Sequence, residues 1–217
     1  MSKGWFGGAV LAGMALAAQL ALAAGAQAAA RAENHFGSIY IDGKKAGQIH
    51  YTIEYGETGE VETLKTRASL SILGIKLFNF EQNLHEAWQK GTLQTLKGRT
   101  DDDGKIYQAS VQRDQDAYRS TLNDNPVELP GNAFPASVWH YRITTQPLLF
   151  DLKDLHLMRV RTATSAETIE IDKVATPTER FDITGDWQAS LWFNQDKFLV
   201  QFAYQVDRHK VLVQLED

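Results

Sequence analysis

Hydrophobic and polar side chains alternate along most of this chain after residue 30. Such a period-two pattern is typical of a β-strand that buries one face and exposes the other. Because antiparallel sheets tolerate one solvated face, the pattern predicts a mainly β fold built from antiparallel strands. The alternating segments are 49–55, 64–72, 78–88, 187–193, 198–204 and 211–215.

Short polar turns separate these segments. Asp42–Lys45, Asp101–Gly104 and Asn194–Lys197 carry the Asp, Asn and Gly residues that tight hairpin turns prefer. A short turn places consecutive strands side by side in the sheet. The sequence therefore predicts a single large antiparallel meander, either a curled sheet or an open barrel.

Residues 123–157 interrupt the alternation. Four of the five prolines lie there, around a stretch, Ala136–Tyr141, that is predicted to form a short helix. A meander with one apolar face must cover that face. We therefore predict that the 123–157 segment crosses the concave face as a plug, and whether it fills the hollow or leaves a ligand cavity stays open. Its large apolar side chains are Phe134, Val138, Trp139, Tyr141, Leu148, Leu149 and Phe150.

The first thirty residues differ from the rest. A lone cation, Lys3, precedes an apolar stretch rich in Ala, Leu and Gly over residues 5–22, and small residues surround Ala28. This arrangement is typical of a secretory signal peptide, so residues 1–28 are predicted to be cleaved near Ala28. Residues 29–217 are then predicted to form one β-rich domain in the periplasm or outside the cell. The alternative is an uncleaved segment that anchors the protein in the membrane.

Charge and composition narrow the classes of partner. The chain has 22 Lys and Arg against 27 Asp and Glu, and its basic residues are scattered. Nucleic-acid binding and attraction to an anionic membrane surface both need a clustered basic face, so neither is predicted. Since the chain contains no Cys, disulfides, thiol catalysis and Cys-ligated zinc are excluded. No integral membrane span is predicted after signal cleavage.

Several short motifs occur in an order that resembles a known family. They are Ile41–Gly47, Glu86–Leu93, Thr100–Gly104, Pro135–His140 and Leu191–Phe193. Together they are similar to the secreted bacterial proteins of domain-of-unknown-function family 6134, over nearly all of the chain after residue 30. The resemblance implies a β-rich periplasmic domain similar in style to the curled sheets of outer-membrane lipoprotein carriers. It implies no activity and no functional residues.

The polar residues form no specific catalytic or metal motif. Ser137 and His140 are close in sequence, as a nucleophile and its base would be, but Ser137 lacks the flanking glycines of a nucleophile elbow. Ser137 is instead predicted to cap the short helix. The acidic residues at 101–103, 151–154 and 182–186 are interpreted as solvated turn residues, and the histidines are dispersed. No metal and no cofactor are predicted.

Three functions remain open at this point. The first, which the aromatic content of the 123–157 segment favours, is a non-catalytic periplasmic protein that binds a lipid or other apolar small molecule against the concave face. The second is a structural or assembly partner of another cell-envelope protein. The third is a hydrolase that uses His140 with a carboxylate. The candidate ligand-lining residues are Trp88, Trp139, His140, Tyr141 and Trp192.

Overall fold

Fifteen β-strands and one 3-10 helix make up the part of the chain that the structure describes. The computed structural model describes residues 31–216 except 57–58, 73–74, 172 and 207, and it describes only the backbone of 69–78. The predicted signal peptide therefore lies outside the described residues. The strands are β1 Arg31–Ile41, β2 Lys44–Tyr55, β3 Glu60–Ile72, β4 Ile75–Gln89, β5 Thr92–Asp102, β6 Lys105–Asp114, β7 Ala117–Leu122, β8 Asn125–Pro130, β9 Phe134–Pro135, β10 Leu148–Phe150, β11 Leu157–Ile171, β12 Val174–Gly185, β13 Ala189–Phe193, β14 Leu199–Val206 and β15 His209–Glu216.

All fifteen strands belong to one sheet, in the order β8-β7-β6-β5-β4-β3-β2-β1-β15-β14-β13-β12-β11-β10-β9. Except for β8 and β9, consecutive strands of the chain are neighbours in the sheet, and β1 pairs with β15. The described pairs are antiparallel except for β9 with β10, which is parallel. The two edge strands, β8 and β9, are consecutive in the chain. The molecule is therefore one large curled sheet, open along the seam between β8 and β9, and the predicted antiparallel meander is confirmed.

The hairpin turns lie where the sequence predicts them. Asp42 and Gly43 join β1 to β2, and Asp103 and Gly104 join β5 to β6. All four residues have positive φ angles, between 49° and 87°. This backbone conformation suits Gly and is tolerated by Asp, and it matches the right-handed twist of the two strands that each turn connects.

Residues 123–130 do not cross the sheet, contrary to the prediction. Residues 123–124 form a hairpin turn with positive φ angles, and Asn125–Pro130 is the edge strand β8, paired with β7. The two prolines of β8 fit there because an edge strand has backbone positions that need no hydrogen-bond partner. The part of the chain that crosses the concave face is shorter than predicted. It consists of residues 131–156, which we call the crossing segment.

The crossing segment covers the concave face of the sheet. Ile143 and Phe150 have 0% exposed surface. They belong to one apolar cluster that also contains Leu84 of β4 and Leu191 of β13, on opposite halves of the sheet. The predicted plug is therefore present, and the described side chains fill the hollow of the sheet with a packed core.

The short helix begins later than predicted. It is a 3-10 helix over Tyr141–Thr145, whereas the prediction placed a helix over residues 136–141. Ser137 does not cap it: the N-cap residue is His140, which makes no side-chain capping bond. The hydroxyl of Ser137 donates to Glu86 instead. A buried carboxylate needs a donor more than an exposed helix end does, since water can satisfy the latter.

The described helix is far too short to cross a bilayer. This finding concerns only the described residues, which begin at Arg31. Residues 5–22, which the sequence interpretation assigned to the apolar part of a signal peptide, are not among them.

Candidate functional site

Two glutamates face the crossing segment from the inner side of the sheet. Glu62 on β3 and Glu86 on β4 lie directly opposite each other in the antiparallel register. Both point inward because Leu64 and Leu84, each two residues away on the same strand, are buried in the core. Glu62 is 3% exposed and Glu86 is 1% exposed. Like charges at opposite positions repel each other, so this pair requires neighbours that compensate its charge.

Glu86 is bound by two donors. Ser137 Oγ donates to Glu86 Oε1 at 2.6 Å, and Trp88 Nε1 donates to Glu86 Oε2 at 2.9 Å. Burial raises the pKa of Glu86 to about 7, and the nearby charge of Glu62 adds to the rise. The two hydrogen bonds and His140 oppose this rise without cancelling it. Glu86 therefore changes its protonation state near neutral pH.

Glu62 is bound by two N–H groups of the crossing segment. Trp139 Nε1 donates to Glu62 Oε2 at 2.6 Å, and His140 Nε2 lies 2.9 Å from the same oxygen. Burial by itself would lower the pKa of His140. The hydrogen bond to Glu62 and the charges of Glu62 and Glu86 outweigh burial, so the pKa of His140 is raised. His140 thus supplies a positive charge beside two carboxyl groups.

Aromatic rings surround this carboxylate cluster. The ring of Trp88 lies 4.1 Å from that of His140 between centroids, and Phe134 lies 5.3 Å from Trp88. On the other side, the ring of Tyr51 lies 6.0 Å from Trp139. In such apolar surroundings a satisfied hydrogen bond is strengthened and an unpaired charge is costly. The cluster is therefore stable only while its polar partners are all in place.

The structure brings together three of the five predicted lining residues. Trp88, Trp139 and His140 lie in the carboxylate cluster, where each also contacts a glutamate. The side chain of Tyr141 points elsewhere: its ring packs against Phe181 and Phe193, and its hydroxyl donates to Glu179 Oε2 at 2.8 Å.

Trp192 lies on the opposite face of the sheet. Its neighbours on β13, Leu191 and Phe193, belong to the main core, and alternation along the strand turns Trp192 outward. There its Nε1 donates to Glu167 at 2.9 Å, and the guanidinium of Arg180 lies 5.1 Å from its ring. Trp192 therefore does not line the concave face, contrary to the prediction.

The sequence interpretation did not identify Glu62 and Glu86. The sequence does mark their positions. Each glutamate lies two residues from a leucine, Leu64 or Leu84, where the alternation of the strand predicts an inward-facing apolar side chain. An acidic residue in the inward phase of a strand requires a buried partner. Neither the partner nor the pairing of the two glutamates can be read from this pattern.

Glu62, Glu86 and His140 offer three potential metal-ligand atoms within 4.8 Å of one another. Glu86 Oε2 already accepts the N–H group of Trp88, and Glu62 Oε2 accepts that of Trp139. A cation between them would lie against these positive N–H ends, and His140 would have to release Glu62. This donor set does not fit a metal ion.

The other acidic residues have structural partners. Asp101 Oδ1 accepts the backbone N–H of Gly104 at 2.8 Å within its turn. Asp151 Oδ1 accepts two backbone N–H groups, from residues 153 and 154. Asp182 lies 2.9 Å from Arg180. Each of these carboxylates completes a local turn or ion pair. The sequence interpretation treated all three as solvated, but Asp151 is largely buried, and burial raises the pKa of its carboxyl group.

Two depressions, of about 430 and 360 Å³, open on the sheet surface. The first is lined by residues such as Lys97 and Arg99, and the second by residues such as Val61, Ala87 and Trp88. No residue of the crossing segment lines either of them. Because Ile143 of the crossing segment is fully buried in the main core, a ligand on the concave face requires that part of this segment move.

The fold is similar to that of the crystal structure of a beta-barrel-like protein of domain of unknown function DUF1849 from Brucella abortus. The TM-score is 0.60 at 8% sequence identity, and the alignment covers 84% of this chain and 96% of that chain. At so low an identity the similarity concerns the fold alone. No curated protein matches the sequence. The model of the family DUF6134, a domain of unknown function, matches residues 38–216. The chain therefore belongs to the DUF6134 family, as the sequence motifs predicted.

Proposed function

We propose that this protein is an exported, non-catalytic binding protein, and that its ligand is a lipid or other apolar small molecule held on the concave face of the curled sheet. The observation that carries the proposal is the way this face is covered. A stretch of the crossing segment lies on it without entering the backbone hydrogen bonding of the sheet.

This stretch consists of residues 137–146, which we call the plug. Its described backbone hydrogen bonds join residues within the plug: His140 to Ser137, Ile143 to His140 and Gln146 to Ile143. Only side chains therefore attach it to the strands beneath. Such a segment can detach while the backbone ladder of the sheet stays intact, because local opening costs less free energy than global unfolding.

The surface beneath the plug favours an apolar ligand. A molecule that replaces the plug must fill the volume vacated by Val138, Trp139 and Ile143, which belong to or pack against the main core. Concave apolar surfaces with few polar groups are typical of small-molecule sites. The sheet side chains of the same core include Leu64, Leu84, Leu93, Phe181, Leu191 and Phe193.

The arrangement of Ser137 and His140 supports a non-catalytic role. Their side chains bind different carboxylates, Ser137 with Glu86 and His140 with Glu62. A nucleophilic serine needs a base that accepts its proton directly. Ser137 is also 0% exposed, so a substrate cannot reach its hydroxyl while the plug is docked. The predicted signal peptide supports export.

The proposal is tested on the protein expressed from its full-length sequence and purified from the envelope fraction after export. Solvent extraction and mass spectrometry are expected to recover an apolar molecule. A dansyl-labelled fatty acid is expected to shift its emission to the blue on binding, with a change in tryptophan fluorescence, since Trp88 and Trp139 lie at the site. Recovery of no lipid, together with unchanged fluorescence of both fluorophores, would overturn the proposal.

A second candidate function, assembly with another envelope protein, is supported by the free edge of β11. The strand runs from Leu157 to Ile171, but β10 pairs only with residues 157–159. Residues 161–169 have a described strand partner, β12, on one side alone. Edge strands are usually protected by Pro or by charged side chains, above all Lys. The short edge strand β8 has two prolines, whereas residues 161–169 contain neither Pro nor Lys, and their charged residues are Arg161 and Glu167 alone. An extended peptide can add to such an edge.

This second function predicts a position-dependent crosslink in cells. A photo-crosslinking residue at Ala163, on the free edge, is expected to capture an extended segment of an envelope protein. The same residue at Asn125, on the proline-protected edge strand β8, is the matched control and is expected to capture none. Equal yields at both positions, mapped by peptide mass spectrometry, would contradict the assignment.

A further inference from the structure

The polar contacts between the plug and the inner sheet face converge on one pair of side chains. Ser137 contacts Glu86, while Trp139 and His140 contact Glu62, at 2.6 to 2.9 Å. We call these three contacts the latch. The plug's other polar contacts with the sheet, from Tyr141 to Glu179 and from Arg142 to the carbonyl of Gly91, lie at exposed positions. Exposed polar contacts contribute little because water competes for them.

The stability of the latch depends on how many of its groups are protonated. Glu62 and Glu86 are opposite each other, buried, and within 4.8 Å of His140 and of each other at their ligand atoms. Two carboxylates this close in an apolar environment cannot both ionise without a compensating positive charge. His140 supplies that charge only when its imidazole is protonated.

We propose that the plug is held by this latch in its protonated form, and that loss of protons from the cluster releases the plug and opens the concave face. The inference rests on the proposed function, since the opening regulates access to the apolar site assigned above. A ligand would then be excluded at mildly acidic pH and admitted as the pH rises.

The direction follows from proton linkage. The pKa of Glu86 is raised by burial to about 7, and the pKa of His140 is raised by its contact with Glu62. Both groups therefore bind protons more tightly when the plug is docked than when it is detached in water. The state that binds more protons is favoured at low pH and loses its advantage as the pH rises through these pKa values.

The other titratable groups around the latch do not reverse this direction. Glu60, at the start of β3, adds negative charge that raises the pKa of His140. Tyr51 on β2 is neutral near pH 7, because burial raises its pKa far above the usual value. No Lys or Arg is among the groups with the largest influence on the pKa of Glu86 or His140 in the described structure.

Hydrogen–deuterium exchange of the full-length protein without added ligand tests this inference. The exchange rates are corrected for the intrinsic rate at each pH. The titration of Glu86 alone is expected to lower the protection of the plug amides about 30-fold between about pH 5.5 and about pH 8.5. Amides of Leu93 and Leu96, buried in β5, serve as the internal reference and are expected to keep their protection. Plug protection that stays constant over this range would overturn the inference.

Glu86→Gln is the matched variant, because it keeps the shape of the side chain and removes its titration. The glutamine carbonyl can accept the N–H of Trp88 while its NH₂ donates to the hydroxyl of Ser137. The fall in protection is expected to shrink to the part that His140 supplies. A fall as steep as in the wild type would overturn the inference. Because the exchange experiment compares the two proteins with no ligand added, its result is separate from the lipid test: a pH-dependent plug without lipid binding refutes only the proposed function.

Discussion

Replacing His140 by alanine is expected to lower the free energy of unfolding by about 3–5 kcal/mol near pH 7, the usual cost of removing one partner of a buried ion pair. The variant leaves Glu62, which is 3% exposed, with the N–H of Trp139 as its described donor and with Glu86 directly opposite. It also removes the ring that packs against Trp88. Urea denaturation followed by far-UV circular dichroism measures the loss.

Two further variants separate charge from packing. His50→Ala is the control on the outer face, where His50 contacts Asn34 and Thr52 at 3.4 Å and its ring stacks on Phe36 at 4.4 Å. Its loss is expected to cost no more than about 1.5 kcal/mol. Adding Glu62→Gln to His140→Ala is expected to restore part of the stability, because the uncompensated charge is gone. Equal losses of stability for His140→Ala and His50→Ala would show that the contact between His140 and the glutamates does not contribute this free energy.

The strands could be predicted from the sequence because side-chain alternation is a local property. Leu84 and Trp88 are buried while His85 is exposed, as period two requires on β4. The turn at Asn194–Lys197 joins β13 to β14 as predicted. The same rule, applied strictly to β13, would also have excluded Trp192 from the concave face, since Leu191 is one position away.

The prolines misled the interpretation of residues 123–130. Proline interrupts a strand that is paired on both sides, but β8 is paired only with β7, so Pro126 and Pro130 are compatible with it. Whether a strand lies at an edge depends on the whole topology. The local sequence does not contain that information.

The carboxylate cluster could not be predicted because it depends on long-range register. Glu62 and Glu86 meet through the pairing of β3 with β4, and Ser137 reaches Glu86 from 51 positions away in the chain. The sequence suggested that the acidic residues lie in solvated turns, which is correct for Asp101, whereas Asp151 is largely buried and burial raises the pKa of its carboxyl group. Glu62 and Glu86 are exceptions, because they face the same side of their strands as buried leucines. Only the folded structure shows which groups neutralise them.

The plug competes with any ligand of the concave face for the same surface. The apparent affinity for the ligand is then the intrinsic affinity multiplied by the fraction of molecules in which the plug is detached. A substitution that weakens docking of the plug without altering the sheet should therefore tighten ligand binding while it lowers stability. Ile143, in the 3-10 helix and 0% exposed, is suited to this test.

Ile143→Ala is expected to weaken plug docking by about 2–5 kcal/mol, the range for truncation of a buried isoleucine. A loss of about 2 kcal/mol corresponds to roughly 30-fold tighter binding of the dansyl-labelled fatty acid, provided that the plug remains mostly docked. Fluorescence titration measures the affinity, and thermal denaturation measures the accompanying loss of stability.

Val200→Ala provides the control for general destabilisation. Val200 is 4% exposed but lies in the outer cluster with Ile171 and Trp192, away from the plug. This variant is expected to be less stable than the wild type and to bind the fatty acid with unchanged affinity, because the plug equilibrium is not altered. If Ile143→Ala weakens fatty-acid binding, or if Val200→Ala tightens it equally, the plug does not compete with the ligand. In that case the crossing segment is a permanent part of the core.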